Sequence, residues 1–236
     1  MKEYFKNFTE KDISYMLYGF FLGDGSYRNG TLTIRHTNKQ KFYVLWIKEI
    51  CDILNLKYKI KLDFTMNTTL GEFTYSDIRI KVPKRFYFET LNKCFDGNNK
   101  KIISKYVLNN INIFGLLLWY LDDGSLIISK KGYKTKRFAY FNTQCFTYDE
   151  HLLIQDFFKK SFNIDVRIHI DHSGIYKNKR YYRIYINAEN FKKFFDLVRP
   201  LIKYIPKDFY YKFDMKYEIN RLHSSKENAE KYNLTF

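Results

Sequence analysis

Residues 13–22 and 113–121 are apolar at almost every position, the pattern of a helix buried on more than one side. Around these two runs the hydrophobic spacing alternates between helical and strand periods in the same order twice. The first pass begins with a helix over 11–23, with Asp12 or Ser14 as its cap. Asn29-Gly30, flanked by strands at 26–28 and 31–37, predicts a hairpin. A helix follows over 39–54, with Phe42, Leu45, Trp46, Ile50, Ile53 and Leu54 on its apolar side. Strands at 58–64 and 73–82 alternate as a second hairpin, and Pro83 opens a helix to about Phe95. Residues 96–101, with their Gly and Asn, form a linker. The second pass predicts strands at 126–131 and 137–146, a helix at 148–162, strands at 166–170 and 181–186 and a helix at 188–198. A last helix runs from Pro206 to about Leu222. Each half reads as helix, two strands, helix, two strands, helix. The fold class is therefore α+β, built of two pseudo-symmetric αββαββα repeats with antiparallel sheets. The expected boundaries are a first half at 1–96, a linker at 97–112, a second half at 113–223 and a polar tail at 224–236.

The strand alternation sorts the sheet faces. Tyr58, Ile60, Leu62 and Phe64 oppose Lys59, Lys61 and Asp63, while Ile78, Ile80 and Val82 oppose Asp77, Arg79 and Lys81. In the second half Val166, Ile168 and Ile170 oppose Asp165, Arg167 and His169. Tyr182, Ile184 and Ile186 oppose Tyr181, Arg183, Tyr185 and Asn187. An antiparallel sheet covered by helices on one face leaves the other free, and here that face is basic in both halves.

Charge gives that face a partner. The 236 residues carry 41 Lys and Arg against 25 Asp and Glu, a net charge of +16 spread over both halves. An even basic field over an ordered body, rich in Tyr and Phe, points to a polyanion. Nucleic acid leads, because no Lys/Arg-faced amphipathic helix suggests an anionic membrane surface and no run of 18 apolar residues would span one. The candidate DNA contacts are Arg28, Arg35, Lys59, Lys61, Arg79, Lys81, Lys130, Lys134, Arg167, His169, Arg180 and Arg183. Cys51, Cys94 and Cys145 are well separated and odd in number. They read as reduced core thiols of an intracellular protein, in an organelle or in bacterial or archaeal cytoplasm. His169 and His172 form an H-x-x-H pair that lacks a third ligand and reads as polar surface rather than as a metal site.

The chemistry lies in a repeated segment. Residues 17–25 read L-Y-G-F-F-L-G-D-G and residues 116–124 read L-L-L-W-Y-L-D-D-G, so Asp24 and Asp123 hold equivalent places, each followed by Gly-Ser. Gly19 inside the first helix costs roughly 1 kcal/mol relative to Ala, a cost explained if a partner helix approaches closely there. If the two apolar helices are partners, both acids emerge at their C-terminal ends. Two adjacent carboxylates repel, and a divalent cation relieves this, helped by the negative ends of the helix dipoles. Paired carboxylates holding a hard cation are suited to cutting phosphodiesters.

These segments resemble the two signature motifs of the LAGLIDADG homing endonucleases, in the monomeric double-motif form and closest to the yeast mitochondrial intron branch. The resemblance covers nearly the whole chain, departing at Leu118, where the motif's third residue is usually Gly. It implies saddle-like sheets that face DNA and motif helices packed at a central two-fold interface. It implies metal ligation by Asp24 and Asp123, with backbone carbonyls of Gly23 and Asp122. Asn98-Asn99-Lys100-Lys101 and Ile205-Pro206 with Tyr211-Lys212 resemble the segments that supply two active-site lysines, placing them at Lys101, with Lys100 its rival, and Lys212. Gln144 is similarly the residue that orders water in the second half, with His36 its counterpart in the first. The implied activity is Mg²⁺-dependent double-strand cleavage of a long asymmetric DNA site, leaving 3′ overhangs. Mn²⁺ would substitute and Ca²⁺ would bind without cleavage. Intron homing is the implied origin, and the chain's own intron RNA a further partner. An RNA maturase and a non-catalytic DNA-binding regulator on the same scaffold are the competing readings. Retention of both acids and both lysines speaks against each.

Overall fold

The two apolar helices begin on side-chain caps and end where they meet. The computed structural model of the chain describes residues 2–69, 71–84, 94–96, 100–131, 134–171 and 180–216. A short helix α1 (Lys2–Lys6) precedes α2 (Glu10–Leu22). Thr9, rather than Asp12 or Ser14, caps α2. Its hydroxyl accepts from the Asp12 backbone N–H while the Asp12 carboxylate accepts from Thr9 N, a reciprocal capping box. The hairpin of β1 (Ser26–Arg28) and β2 (Thr31–Thr37) turns at Asn29 and Gly30, both at positive φ as this turn requires. After one 3₁₀ turn, α3 (Lys41–Ile53) packs on the sheet completed by β3 (Tyr58–Thr68) and β4 (Gly71–Lys81).

The second half repeats this plan. Helix α4 (Lys105–Asn109) leads into α5 (Ile113–Asp123), then β5 (Gly124–Lys131), β6 (Lys134–Phe141), α6 (Tyr148–Phe162), β7 (Arg167–Asp171), β8 (Tyr181–Ile186) and α7 (Ala188–Ile202). The sheets have matching orders, β1-β2-β4-β3 and β5-β6-β8-β7, all antiparallel. No helix among the described residues is long and apolar enough to cross a membrane.

Several expectations shift. The buried side of α3 is Tyr43, Val44, Trp46, Ile47, Ile50 and Cys51, while Leu45 faces outward, because packing on β2 and β4 selects that stripe of a helix apolar on more than one side. A bulge between Lys61 and Phe64, with Asp63 at positive φ, breaks the alternation of β3 and exposes Leu62. Ile170, beyond the helix cover of β7, is also exposed. β6 stops at Phe141. The final helix is a 3₁₀ segment, Lys207–Phe213, ended by Asp214 in the left-handed region. Cys51 and Cys94 are buried thiols, but Cys145 is exposed. The body of the helix after Pro83, residues 97–99 with Asn98 and Asn99, His172 and the chain from 217 onward lie outside the described residues.

The core is continuous across both halves, because α2 and α5 lie side by side between the sheets. Their crossing is set by two glycines. A Cβ on Gly19 would come within 2.5 Å of the Gly115 carbonyl oxygen, and one on Gly115 within 2.7 Å of the Tyr15 carbonyl. Backbone contact this close has no room for a side chain. The partner glycine sits one residue before the second motif, so Leu118 is free to be a fully buried packing residue.

Candidate active site at the seam between the halves

Both motif helices run apolar up to their last turn and then place their acids where the seam meets the two sheets. Asp24 and Asp123 act on each other electrostatically across it. They are not equivalent in setting. The Asp24 side chain is about half exposed (47%). Asp123 is half-buried, and burial, followed by the Asp24 charge, pushes its carboxyl up to about 7. The Trp119 indole N–H, one turn back on α5, donates to Asp123 Oδ2 at 3.1 Å. The Asn142 side-chain amide and backbone N–H both donate to the Asp123 carbonyl, at 2.8 and 2.9 Å.

Asp122 brings its side chain into the site. Its Oδ2 accepts from the Asp24 backbone N–H at 3.1 Å, filling space that a Cβ on Gly23 would need. Its Oδ1 is sealed from solvent without a donor. Burial, with the Asp24 charge second, holds this carboxyl well above the usual range. The Tyr43 hydroxyl lies beside it, close enough to act on its charge but without hydrogen-bond geometry. His36, its side chain 3% exposed, places Nδ1 3.0 Å from Gln40 Oε1 and 3.6 Å from Asp24 Oδ2. With two oxygen acceptors facing Nδ1, the ring proton is assigned there. Burial lowers the His36 pKa, partly offset by Asp24.

The two lysines converge on the same seam. Lys101 Nζ donates to the Gly23 carbonyl at 2.7 Å and lies over the Phe21 ring. Lys212, only 5% exposed, donates to the carbonyls of Leu121 and Gly124, at 2.5 and 2.9 Å. Burial lowers both lysine pKa values against the pull of Asp24, Asp122 and Asp123. Each ammonium is thus tied to the turn that carries the other half's or its own motif acid.

One oxygen each of Asp24 and Asp122 and one ring nitrogen of His36 lie within 4.8 Å of one another. Two carboxylates at the negative ends of two helices, one with an unpartnered buried oxygen, fit a divalent cation.

Strand register aligns the halves residue by residue. Ser26 and Ser125, each two places past its acid, pair with Thr33 and Tyr140. Counting onward, Arg35 matches Asn142, His36 matches Thr143 and Thr37 matches Gln144; across the sheets Asp77 matches Arg183. This corrects the pairing of His36 with Gln144. Thr143 is buried and bonded to His151, whereas Gln144 donates to Asp171 Oδ2 at 2.9 Å on the sheet surface.

Of the candidate DNA contacts, Arg28, Arg35, Lys59, Lys61, Arg79 and Lys81 share the free face of the first sheet, as the pairing of alternate residues requires. Arg167, His169 and Arg183 share that of the second, and Arg180 is exposed just before β8; Lys134 is the first residue of β6, and its side chain lies outside the described residues. Lys130 does not join them. Its alternation puts it with Leu126 and Ile128 on the helix-covered side of β5. Asp77, expected outward and solvated, is fully buried under Arg35 and Arg79. Sequence reasoning missed Trp119, Asn142 and Gly115. Trp119 was visible at helical spacing from Asp123, and Gly115 as the only other glycine in an apolar helix.

Paired acids and two cationic clamps thus meet at one seam under two basic sheets. Residues 14–194 match the LAGLIDADG DNA endonuclease family, and the chain belongs to it. The uncharacterized protein MJ1098 of Methanocaldococcus jannaschii is 36% identical over 92 residues, covering 39% of this chain and 32% of that protein. The chain thus matches about a third of the length of this curated relative. The fold is similar to that of the homing endonuclease I-WcaI bound to its DNA recognition sequence. The identity is 23% over 90% of this chain and 91% of that one, with a TM-score of 0.66.

Proposed function

We propose that the chain is a monomeric, site-specific DNA endonuclease that breaks both strands of a long asymmetric target by Mg²⁺-dependent hydrolysis, leaving 3′ overhangs. The observation that carries this reading is the convergence of Asp24, Asp122 and Asp123 with Lys101 and Lys212 at one seam between two basic sheets. Residues 1–96 and 113–223 each lay a sheet in the major groove of one half-site, with the seam over the scissile phosphates. Asp24, Asp122 and Asp123 hold the cation, with Mn²⁺ able to replace Mg²⁺. A divalent cation there supplies positive charge at the phosphate and acidifies water. Lys101 and Lys212, anchored by backbone carbonyls, present fixed positive charge to the phosphate oxygens as negative charge develops. His36, with Nδ1 toward Gln40 and Asp24, orients hydrogen-bonding groups beside Asp24. The basic strands bind the backbone through salt-dependent contacts.

The test is cleavage of plasmids carrying target sites selected from a randomised duplex library. Asp24→Asn and Asp123→Asn should each abolish double-strand cleavage while leaving specific binding largely intact, since only the metal site is damaged. Full cleavage by either variant would sink the assignment. Specific binding without cleavage by the unaltered chain would favour a non-catalytic regulator, and selective binding of intron RNA a maturase.

A further inference from the structure

One side chain on the free face of each sheet is held in the same unusual way. Arg35 Nη2 meets Asp77 Oδ2 at 3.1 Å, its Nη1 lies 3.3 Å from Met66 Sδ, and its guanidinium sits over the Phe64 ring, 5.4 Å from the centroid. Arg183 Nη2 lies 3.9 Å from Asp171 Oδ1, and its guanidinium sits over the Tyr140 ring at 4.1 Å. In both, Nε is sealed from solvent without an acceptor. Both carboxylates are buried, Asp77 completely. The side chains themselves remain 36% and 29% exposed. An arginine set over a ring and drawn to a buried carboxylate has given up much of its rotamer freedom before any ligand arrives. With Nε sealed, any outward contact must come from the remaining N–H groups of Nη1 and Nη2.

A fixed planar fork is the group that reads guanine, donating to O6 and N7 together in the major groove. A phosphate contact needs no such fixing, and an exposed lysine of the first face such as Lys59 serves that purpose. The arginines also sit near the centre of the molecule. Arg35 directly precedes His36 at the Asp24 site, and Arg183 occupies the pseudo-equivalent of Asp77, Arg35's own partner across the rung. The two halves have exchanged which strand carries the arginine while keeping it at one level.

Resting on the endonuclease reading, we propose that Arg35 and Arg183 are specificity-determining residues that each read one guanine, in opposite half-sites close to the cleavage centre. Asp77 and Asp171 act as positioning residues that aim the forks.

The test is selection from a randomised duplex DNA library by the full chain in Ca²⁺, followed by sequencing of the bound pool. The unaltered protein should enrich a guanine on each side of the centre. Arg35→Ala and Arg35→Lys should lose that preference in one half-site only, by about tenfold to a hundredfold, and Arg183→Lys in the other only. The Lys variants keep the charge, and a folding defect would weaken both half-sites alike, so it cannot mimic a loss confined to one. Asp77→Asn should relax the same position as Arg35→Lys and leave the other half-site unchanged, which a merely structural role would not do. An enriched site whose base preferences are unaltered by both Arg35→Lys and Arg35→Ala, with the Ala variant losing affinity evenly and its salt slope dropping by about one, would overturn the inference alone. No enriched site at all would overturn the reading of specific DNA binding and this inference with it.

Discussion

The two motif acids share a sequence position but not an environment. Asp24 stands half-exposed beside His36, with Asp122 holding its backbone N–H. Asp123 is half-buried between Trp119 and Asn142, and its carboxyl is pushed up to about 7. The flanking lysines differ in the same sense, since Lys101 holds one carbonyl and Lys212 sits among several. A duplicated scaffold has kept its backbone order while its side chains diverged, down to the rung where Asp77 matches Arg183. On the proposed reading this divergence fits two half-sites of unequal sequence, because a protein reading an asymmetric duplex gains nothing from identical faces.

The largest effect should come from closing the gap that lets the halves meet. Gly19→Ala puts a methyl against the Gly115 backbone, which cannot yield as a side-chain tip could. It should lower stability by about 3 kcal/mol in urea unfolding, with Gly115→Ala nearly as costly. An unchanged midpoint for either would mean that the helices do not touch where the structure places them.

A smaller difference should separate the lysines. Lys212→Met leaves the carbonyls of Leu121 and Gly124 without their donor inside the core, while Lys101→Met strands only that of Gly23. Thermal unfolding should show Lys212→Met as the more damaging, by about 1–3 kcal/mol. Equal losses would remove the distinction between the two clamps.

The smallest effect is one of pH. Asp123 has a raised carboxyl in the folded chain, so the folded state holds a proton that the unfolded state releases. Its contribution to stability is present at low pH and lost as pH rises through about 7. With divalent ions chelated, the chain should gain about 1.4 kcal/mol from Asp123 between about pH 8 and pH 6. Asp123→Asn should flatten that slope. A slope that survives the substitution would assign the proton elsewhere, Asp122 first.

Much of this was legible along the chain. The two apolar runs, the Asn29-Gly30 hairpin and the 148–162 helix lie where their periodicity and turn residues put them, since those signals are local. The bulge in β3 was not legible, because Asp63 takes its left-handed conformation to satisfy a pairing with another strand. Lys130 was misassigned although its face was legible, since it keeps step with Leu126 and Ile128 along β5.

The sequence by itself determined the repeat, the basic free faces and the two acids behind apolar helices, because hydrophobic periodicity and charge are written residue by residue. Only the tertiary structure decided that Gly115 is the partner of Gly19 and that Asp122 brings a carboxylate to the Asp24 site. It alone showed that Asp77 is buried beneath two arginines. Each of these depends on which distant backbone comes within a few ångströms, and that distance is set by the packing of two halves against each other.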